Sequence, residues 1–309
     1  MADTPVLLPT LPPASTMSHL PLPRSQRSES PFSGTITTRT EADADADAAT
    51  RPPLPEEAGV VHYPVLVPNM RGLDNLLKLE EEWKSKGGKE RLTDEIAVFV
   101  AATEAFSQAN NHAPIAKVLS ALPAVISKAA SHGLRTRGYV SCVMTCPYSG
   151  PTPPEQVVDV AQKLLEYGCY EVSLGDTTGE GNPEAWRVLW EEVEKRGLPM
   201  DKVACHDTFS MALSSILTLL PRGLHTIDSS LAGLGGCPYS PGATGNVPTE
   251  DVVYALHKLG YQTGIDLDKL VEAGNWLAER LGIRNESRVG RAIWARRKAR
   301  EQKERKAGE

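Results

Sequence analysis

From residue 59 onward the chain alternates between two hydrophobic rhythms. Short apolar runs rich in β-branched residues recur at 63–68, 95–101, 137–144, 170–175, 202–206 and 225–232. Between them the apolar positions fall at helical spacing. Residues 156–167 show this best: Val157, Val160, Ala161, Leu164 and Leu165 form one stripe, and Thr152-Pro-Pro-Glu155 is a helix-entry signal. Residues 183–196, 209–220 and 250–259 behave in the same way. The runs are too continuously apolar for strands with one solvated face, so they predict strands of a parallel sheet covered on both sides. Six strand–helix units in succession predict an α/β fold, an incomplete (β/α)8 barrel with about six recognisable parallel units.

The two ends depart from this rhythm. Residues 1–57 hold ten of the 24 prolines and the alternation Ala42-Asp-Ala-Asp-Ala-Asp47. Such a segment cannot bury enough apolar surface to offset its chain entropy, and disorder is expected there. Residues 58–285 form the expected barrel domain. Residues 286–309 carry Arg288, Arg291, Arg296, Arg297, Lys298, Arg300, Lys303, Arg305 and Lys306, which predicts a basic terminal helix or tail. A solvated helix accounts for this charge, and contact with a polyanion or a coenzyme phosphate is the functional alternative.

Charge and cysteine usage narrow the function classes. A net charge of −6 leaves no overall nucleic-acid footprint. Five cysteines, 142, 146, 169, 205 and 237, are an odd number lying in apolar segments, which fits a reducing compartment better than a disulfide scaffold. Cys142 and Cys146 have zinc-like spacing, but no second pair completes four ligands. No apolar run reaches the ~18 residues of a membrane span, so no membrane partner is expected. Residues 25–39 mix Arg with Ser and Thr, faintly like a mitochondrial presequence, and the acidic run that follows fits this badly. Mitochondrial and cytoplasmic locations both stay open.

Candidate chemistry collects at three strand ends. Ser173-Leu-Gly-Asp-Thr-Thr-Gly179 ends one strand with Asp176, and Ala204-Cys-His-Asp-Thr208 ends the next with His206 and Asp207. The last is followed by Gly233-Leu-Gly-Gly-Cys-Pro-Tyr-Ser-Pro-Gly-Ala-Thr-Gly-Asn246, a loop able to deliver Cys237 and Asn246 to a site. Taken singly, each has a bland explanation: a helix N-cap for Asp176, a satisfied core histidine for His206, an inert buried thiol for Cys237. In a βα barrel these ends share one rim, so Asp176, His206, Cys237 and Asn246 are expected to converge. His206 and Asn246 suit a divalent cation. Cys237 suits acid–base work where a nearby cation lowers its pKa.

On these segments the chain resembles the 3-hydroxy-3-methylglutaryl-CoA lyases of the metal-dependent pyruvate carboxyltransferase-like TIM-barrel family. Further matching stretches are Tyr63-Pro-Val-Leu-Val-Pro-Asn-Met-Arg-Gly72, Arg137-Gly-Tyr-Val-Ser-Cys142, Cys146-Pro-Tyr148 and Thr249-Glu-Asp251. The resemblance runs from about residue 60 to 283 and is anchored by Gly-Gly-Cys237-Pro-Tyr239. It implies cleavage of 3-hydroxy-3-methylglutaryl-CoA to acetyl-CoA and acetoacetate with Mg²⁺ or Mn²⁺, a step of leucine degradation and ketone-body formation. It also implies roles. Cys237 is the loop thiol in proton transfer, His206 and Asn246 are metal ligands, Asp176 lies near the reacting hydroxyl, and Glu250 helps hold the loop. The implied partner is a CoA thioester, with a homodimer left open and no coenzyme contacts assigned.

Two departures from the family pattern lower the expected activity. The family's His-x-His-Asp strand has Ala204 at its first His, a methyl group that neither ligates nor transfers a proton. The family's first strand ends in Arg-Asp-Gly, and no Arg-Asp pair occurs in this sequence. The family's first two βα units have no counterpart here. The alternative to a lyase is therefore a catalytically inactive remnant that binds a CoA thioester or pairs with a homologue.

Overall fold

The computed structural model describes residues 62–236 and 245–308. Six parallel strands, β1 (Val65–Leu66), β2 (Glu95–Ala101), β3 (Arg135–Ser141), β6 (Glu171–Asp176), β7 (Lys202–Cys205) and β8 (Thr226–Asp228), form one sheet. Between β3 and β6 a small antiparallel hairpin pairs β4 (Thr145–Cys146) with β5 (Gly150–Pro151). Spatial order in the large sheet follows chain order, β1-β2-β3-β6-β7-β8. A parallel sheet wound in one direction is the barrel topology rather than the doubly wound one. Among the described residues the sheet is not closed, and β1 and β8 are its two edges.

Helices cover the outer face: α1 (Met70–Ser85), α2 (Glu104–Asn111), α3 (Ile115–Ser131), α4 (Pro154–Glu166), α5 (Pro183–Lys195), α6 (Ala212–Leu219), α7 (Thr249–Lys258), α8 (Leu267–Leu281) and α9 (Arg288–Gly308). Their starts follow the local chemistry. Asn69 and Asn182 cap α1 and α5 through their side-chain oxygens, Asp266 caps α8, and α4 and α5 begin on a proline. All six expected strands are present. The third stops at Ser141 because Cys142 takes a left-handed backbone (φ 62°). The sixth stops at Asp228, ahead of a tight turn over Leu231–Gly233. The expected disorder of residues 1–57 lies outside the described residues.

Alternation along the strands sorts the side chains between two environments. Ile96, Val98, Val100, Val140, Val172, Leu174, Val203 and Cys205 point outward and pack against Leu122, Val157, Leu164, Trp186, Trp190 and Ile216 of the helices. The alternate positions face the barrel interior and are unusually polar: Glu95, Arg137, Tyr139, Glu171, Ser173, Lys202 and Asp228. Glu95 is fully buried and ion-pairs with Arg135 (3.2 Å) and Arg137. Lys202 lies 2.6 Å from Glu171 and 3.1 Å from Asp228. Buried charges persist only when paired, and here three cations face three carboxylates.

The basic segment is helical. Asp251 receives the Ser287 hydroxyl (2.7 Å) and the Val289 amide (2.9 Å), fixing the start of α9 against α7. Arg297 reaches Asp268 and Glu272 on α8. No single helix among the described residues is long and apolar enough to cross a membrane.

Candidate active site

A cavity of about 380 Å³ opens where β3, β6, β7 and β8 end, lined in part by Tyr139, Asp176, Ala204, His206, Asp228, Gly236 and Asn246. Three far-apart strand ends thus meet at one rim. The stitching that brings Asn246 there is backbone. The Asp207 amide donates to Gly245 O (3.0 Å), the Val247 amide to Cys205 O (3.1 Å), and the Ser230 amide to Val247 O (3.0 Å). The returning arm of the glycine-rich loop is thereby threaded between the ends of β7 and β8, and His206 and Asn246 form an antiparallel bridge.

Each polar group is held in a defined state. His206 Nδ1 lies 2.8 Å from the Thr177 carbonyl, which can only accept, so that nitrogen carries the proton and Nε2 keeps its lone pair. Burial lowers the His206 pKa, opposed in part by that hydrogen bond, so the ring is neutral at pH 7. Asn246 Nδ2 donates to Leu234 O (3.1 Å), leaving Oδ1 as its donor atom toward a ligand. Asp176 accepts from the Gly179 amide (3.1 Å) and the Gly181 amide (2.7 Å). A Cβ at Gly181 would lie 2.6 Å from Asp176 Oδ2, so only glycine allows that approach.

Burial pushes the Asp176 carboxyl up to about 6, against the opposing pull of the two amides. The sign for stability follows. A carboxyl raised in the folded state holds its proton longer there than in the unfolded chain. Its stabilisation is complete below the unfolded value near 4 and is lost as pH climbs through about 6. Asp176 is therefore expected to remove roughly 3 kcal/mol of stability between about pH 4 and pH 7. Urea titrations of the parent and of Asp176→Asn across that range should diverge in slope. Parallel slopes would contradict the assignment.

Glu250 does not face the cavity. It is fully buried against the Leu231–Gly233 turn, and its two oxygens share the Ala232 amide at 3.1 and 3.0 Å. Ala232 takes a left-handed backbone (φ 58°) at the entry to the loop. Glu250 thus holds the turn that precedes the glycine-rich loop. Cys237 lies outside the described residues, while its neighbour Gly236 lines the cavity. Asp207 receives the Ala212 amide (3.1 Å) and serves to cap α6.

Sequence reasoning overlooked Tyr139, Thr177, Lys202 and Asp228. Thr177 fixes the His206 tautomer with its carbonyl and takes the Cys142 amide on its hydroxyl (2.8 Å). The signal for the other three was present: charged or hydroxyl-bearing residues at alternate positions of otherwise apolar strands.

A resident divalent cation does not fit the described donors. Among the described residues no group of three His, Cys, Asp or Glu side chains converges on a metal position. His206 Nε2 and Asn246 Oδ1 are both neutral, Ala204 adds only a methyl group to the same lining, and Asp176 already engages Oδ1 and Oδ2 with the Gly179 and Gly181 amides. Asp228, the one carboxylate level with Ala204, is taken by Lys202 and by the Ser173 hydroxyl (2.9 Å). Two neutral donors offer little to a hard dication that holds its water tightly.

Comparison with known proteins places this geometry in a family. The HMGL-like family model matches residues 86–277. Over 245 residues the chain is 46% identical to the hydroxymethylglutaryl-CoA lyase of Pseudomonas mevalonii, covering 79% of this chain and 77% of that one. It is 42% identical to the cytoplasmic 3-hydroxy-3-methylglutaryl-CoA lyase of Rattus norvegicus, covering 75% of this chain but 64% of the relative's length. Among solved structures, the hydroxymethylglutaryl-CoA lyase of Pseudomonas aeruginosa superposes with a TM-score of 0.69 at 42% identity, over 82% of this chain and 80% of that one. The hydroxymethylglutaryl-CoA lyases among its structural neighbours are TIM barrels, and the six-stranded parallel sheet belongs to that architecture. On the matched span and the identity together, this chain belongs to the HMGL-like family and is, by descent, a carbon–carbon lyase.

Proposed function

We propose that the cavity binds 3-hydroxy-3-methylglutaryl-CoA and that the chain cleaves it slowly to acetyl-CoA and acetoacetate. The observation that supports this reading best is the His206–Asn246 bridge, which sets a free imidazole lone pair and a free amide oxygen beside Asp176 on one rim. A solved relative, the HMG-CoA lyase of Acinetobacter baumannii, holds coenzyme A and 3-methylmalate. It shares 26% identity with this chain at a TM-score of 0.67, over 75% of this chain and 72% of that one.

The chemistry assigned to the chain's own groups is a retro-Claisen cleavage. The lone pair at His206 Nε2 takes the hydroxyl proton. The resulting oxygen lone pair forms the ketone of acetoacetate as the adjacent C–C bond breaks, and the bonding pair passes into the thioester enolate. Cys237, carried on the loop, gives its proton to the enolate carbon, and the imidazolium returns a proton to the thiolate. Asp176, partly protonated near neutrality, orients the hydroxyl. The Mg²⁺ or Mn²⁺ of the family resemblance has no step here, because the described donors do not hold it. A missing charge contact at the developing enolate typically costs ~10²–10³ in rate, so slow turnover is the expected outcome.

The purified chain is expected to release acetoacetate at least ~10²-fold more slowly than the Pseudomonas mevalonii lyase assayed alongside it. Cys237→Ala should abolish the release. Ala204 favours a second reading, a thioester-binding protein without turnover. Binding without acetoacetate would select it, and absence of both binding and cleavage would remove both readings.

A further inference from the structure

Lys202 is the one charged side chain of β7, and the proposed cleavage does not use it. It is 1% exposed, with Nζ 2.6 Å from Glu171 Oε1, 3.1 Å from Asp228 Oδ1 and 5.5 Å from the centre of the Tyr139 ring. Alternation along β7 places Lys202, Ala204 and His206 on one inner face. Asp228 is the register partner of Ala204 and lines the cavity, so the ammonium lies directly beneath the cavity floor. Two peculiarities of this strand therefore adjoin each other. A ligating nitrogen is absent at 204, and an organic cation is present two residues below it, held by the carboxylate at the same level.

We propose that Lys202 is the resident cation of this cavity. Its ammonium balances Asp228 and Glu171, and the cavity takes its CoA-thioester ligand without metal. This rests on the thioester reading above. The physical grounds are charge and saturation. An incoming dication would meet a buried ammonium whose like charge repels it at short range and in low dielectric. It would also have to draw Asp228 away from both Lys202 and the Ser173 hydroxyl, since both carboxylate oxygens are engaged. Lysine serves this role because its charge sits on a single compact nitrogen able to reach two carboxylates from different strands.

The test uses the full chain, Mn²⁺ followed by electron paramagnetic resonance, and acetyl-CoA binding by calorimetry with and without EDTA. The unaltered chain is expected to show no saturable Mn²⁺ site up to roughly millimolar concentration, the weak end of protein divalent sites. Its acetyl-CoA affinity should be unchanged by EDTA. Lys202→Gln leaves two inward carboxylates unbalanced and is expected to acquire Mn²⁺ binding. The double variant with Asp228→Asn should lose it again, and Lys202→Arg should exclude Mn²⁺ like the parent. Saturable Mn²⁺ binding by the unaltered chain, or thioester binding abolished by EDTA, overturns the proposal. Both measurements hold even if Lys202→Gln fails to fold. Absence of acetyl-CoA binding under every condition would instead overturn the thioester reading, leaving the Mn²⁺ result to decide the role of Lys202.

Discussion

Ala204→His is expected to raise Mn²⁺ affinity by roughly 10²-fold, because it adds a ligand where loss of a supporting contact alone is worth 10–100-fold. The substitution acts on an inner-face position. Ala204 pairs in register with Gly175 on one side and Asp228 on the other, and it lines the same cavity as His206. Gly175 contributes no side chain, so an imidazole has room to turn upward toward His206 Nε2 and Asn246 Oδ1. Three nitrogen and oxygen donors would then face one point, a set suited to a borderline cation such as Mn²⁺. Lys202 opposes the gain from below, so combining Ala204→His with Lys202→Gln should raise the affinity further than either change alone. A paramagnetic resonance titration of free Mn²⁺ reads the effect directly. An unchanged affinity in both variants would mean that position 204 does not look into the cavity.

Glu250→Ala is expected to lower stability by about 2–3 kcal/mol, a large share of what a domain of this kind possesses. The carboxylate is fully buried, and the Ala232 amide it accepts is itself almost without solvent contact. Removing it strands that donor and leaves a void beneath α7, two costs that add. Gly274 of α8 packs against the same carboxylate at a distance only a residue without a Cβ permits, so the void has no side chain ready to fill it. Glu250→Gln keeps the length and shape of the side chain in the same buried position. That variant keeps one acceptor oxygen for Ala232 and should lose less than half as much. Urea unfolding of the three proteins separates these outcomes, and equal losses for Ala and Gln would exclude the hydrogen bond as the cause. Because Ala232 opens the glycine-rich loop, the Ala variant should also weaken acetyl-CoA binding.

Much of this could be read from residue order. Strand positions followed from runs such as Glu95–Ala101, since an unbroken apolar stretch has few other places to go in a folded chain. Convergence of Asp176, His206 and Asn246 followed from topology, because a barrel gathers strand ends on one rim whatever their separation in sequence. The helices from Glu104 to Ser131 were less legible. One is eight residues long and the other carries Pro123 inside it, so neither shows a clean start and stop. The role of Glu250 was legible only through family resemblance. An acidic residue in the first turn of a helix reads as a dipole partner, and its contact with Ala232, eighteen positions earlier, exists only in three dimensions. The pairing of Lys202 with Asp228 and Glu171 was hidden for the same reason. A lysine at the head of an apolar run looks like a solvated strand end until its neighbours across the sheet are known.

The charged lining of the sheet's concave side has a consequence for how this molecule can change. Glu95 answers Arg135 and Arg137, and Lys202 answers Glu171 and Asp228, with Glu95 and Lys202 themselves shut off from solvent. Removing one partner leaves the buried Glu95 or Lys202 less well balanced, whereas a matched exchange of both members can pass at little cost. These positions drift most easily in tandem, and a library that varies them in pairs should return more folded members than one that varies them independently.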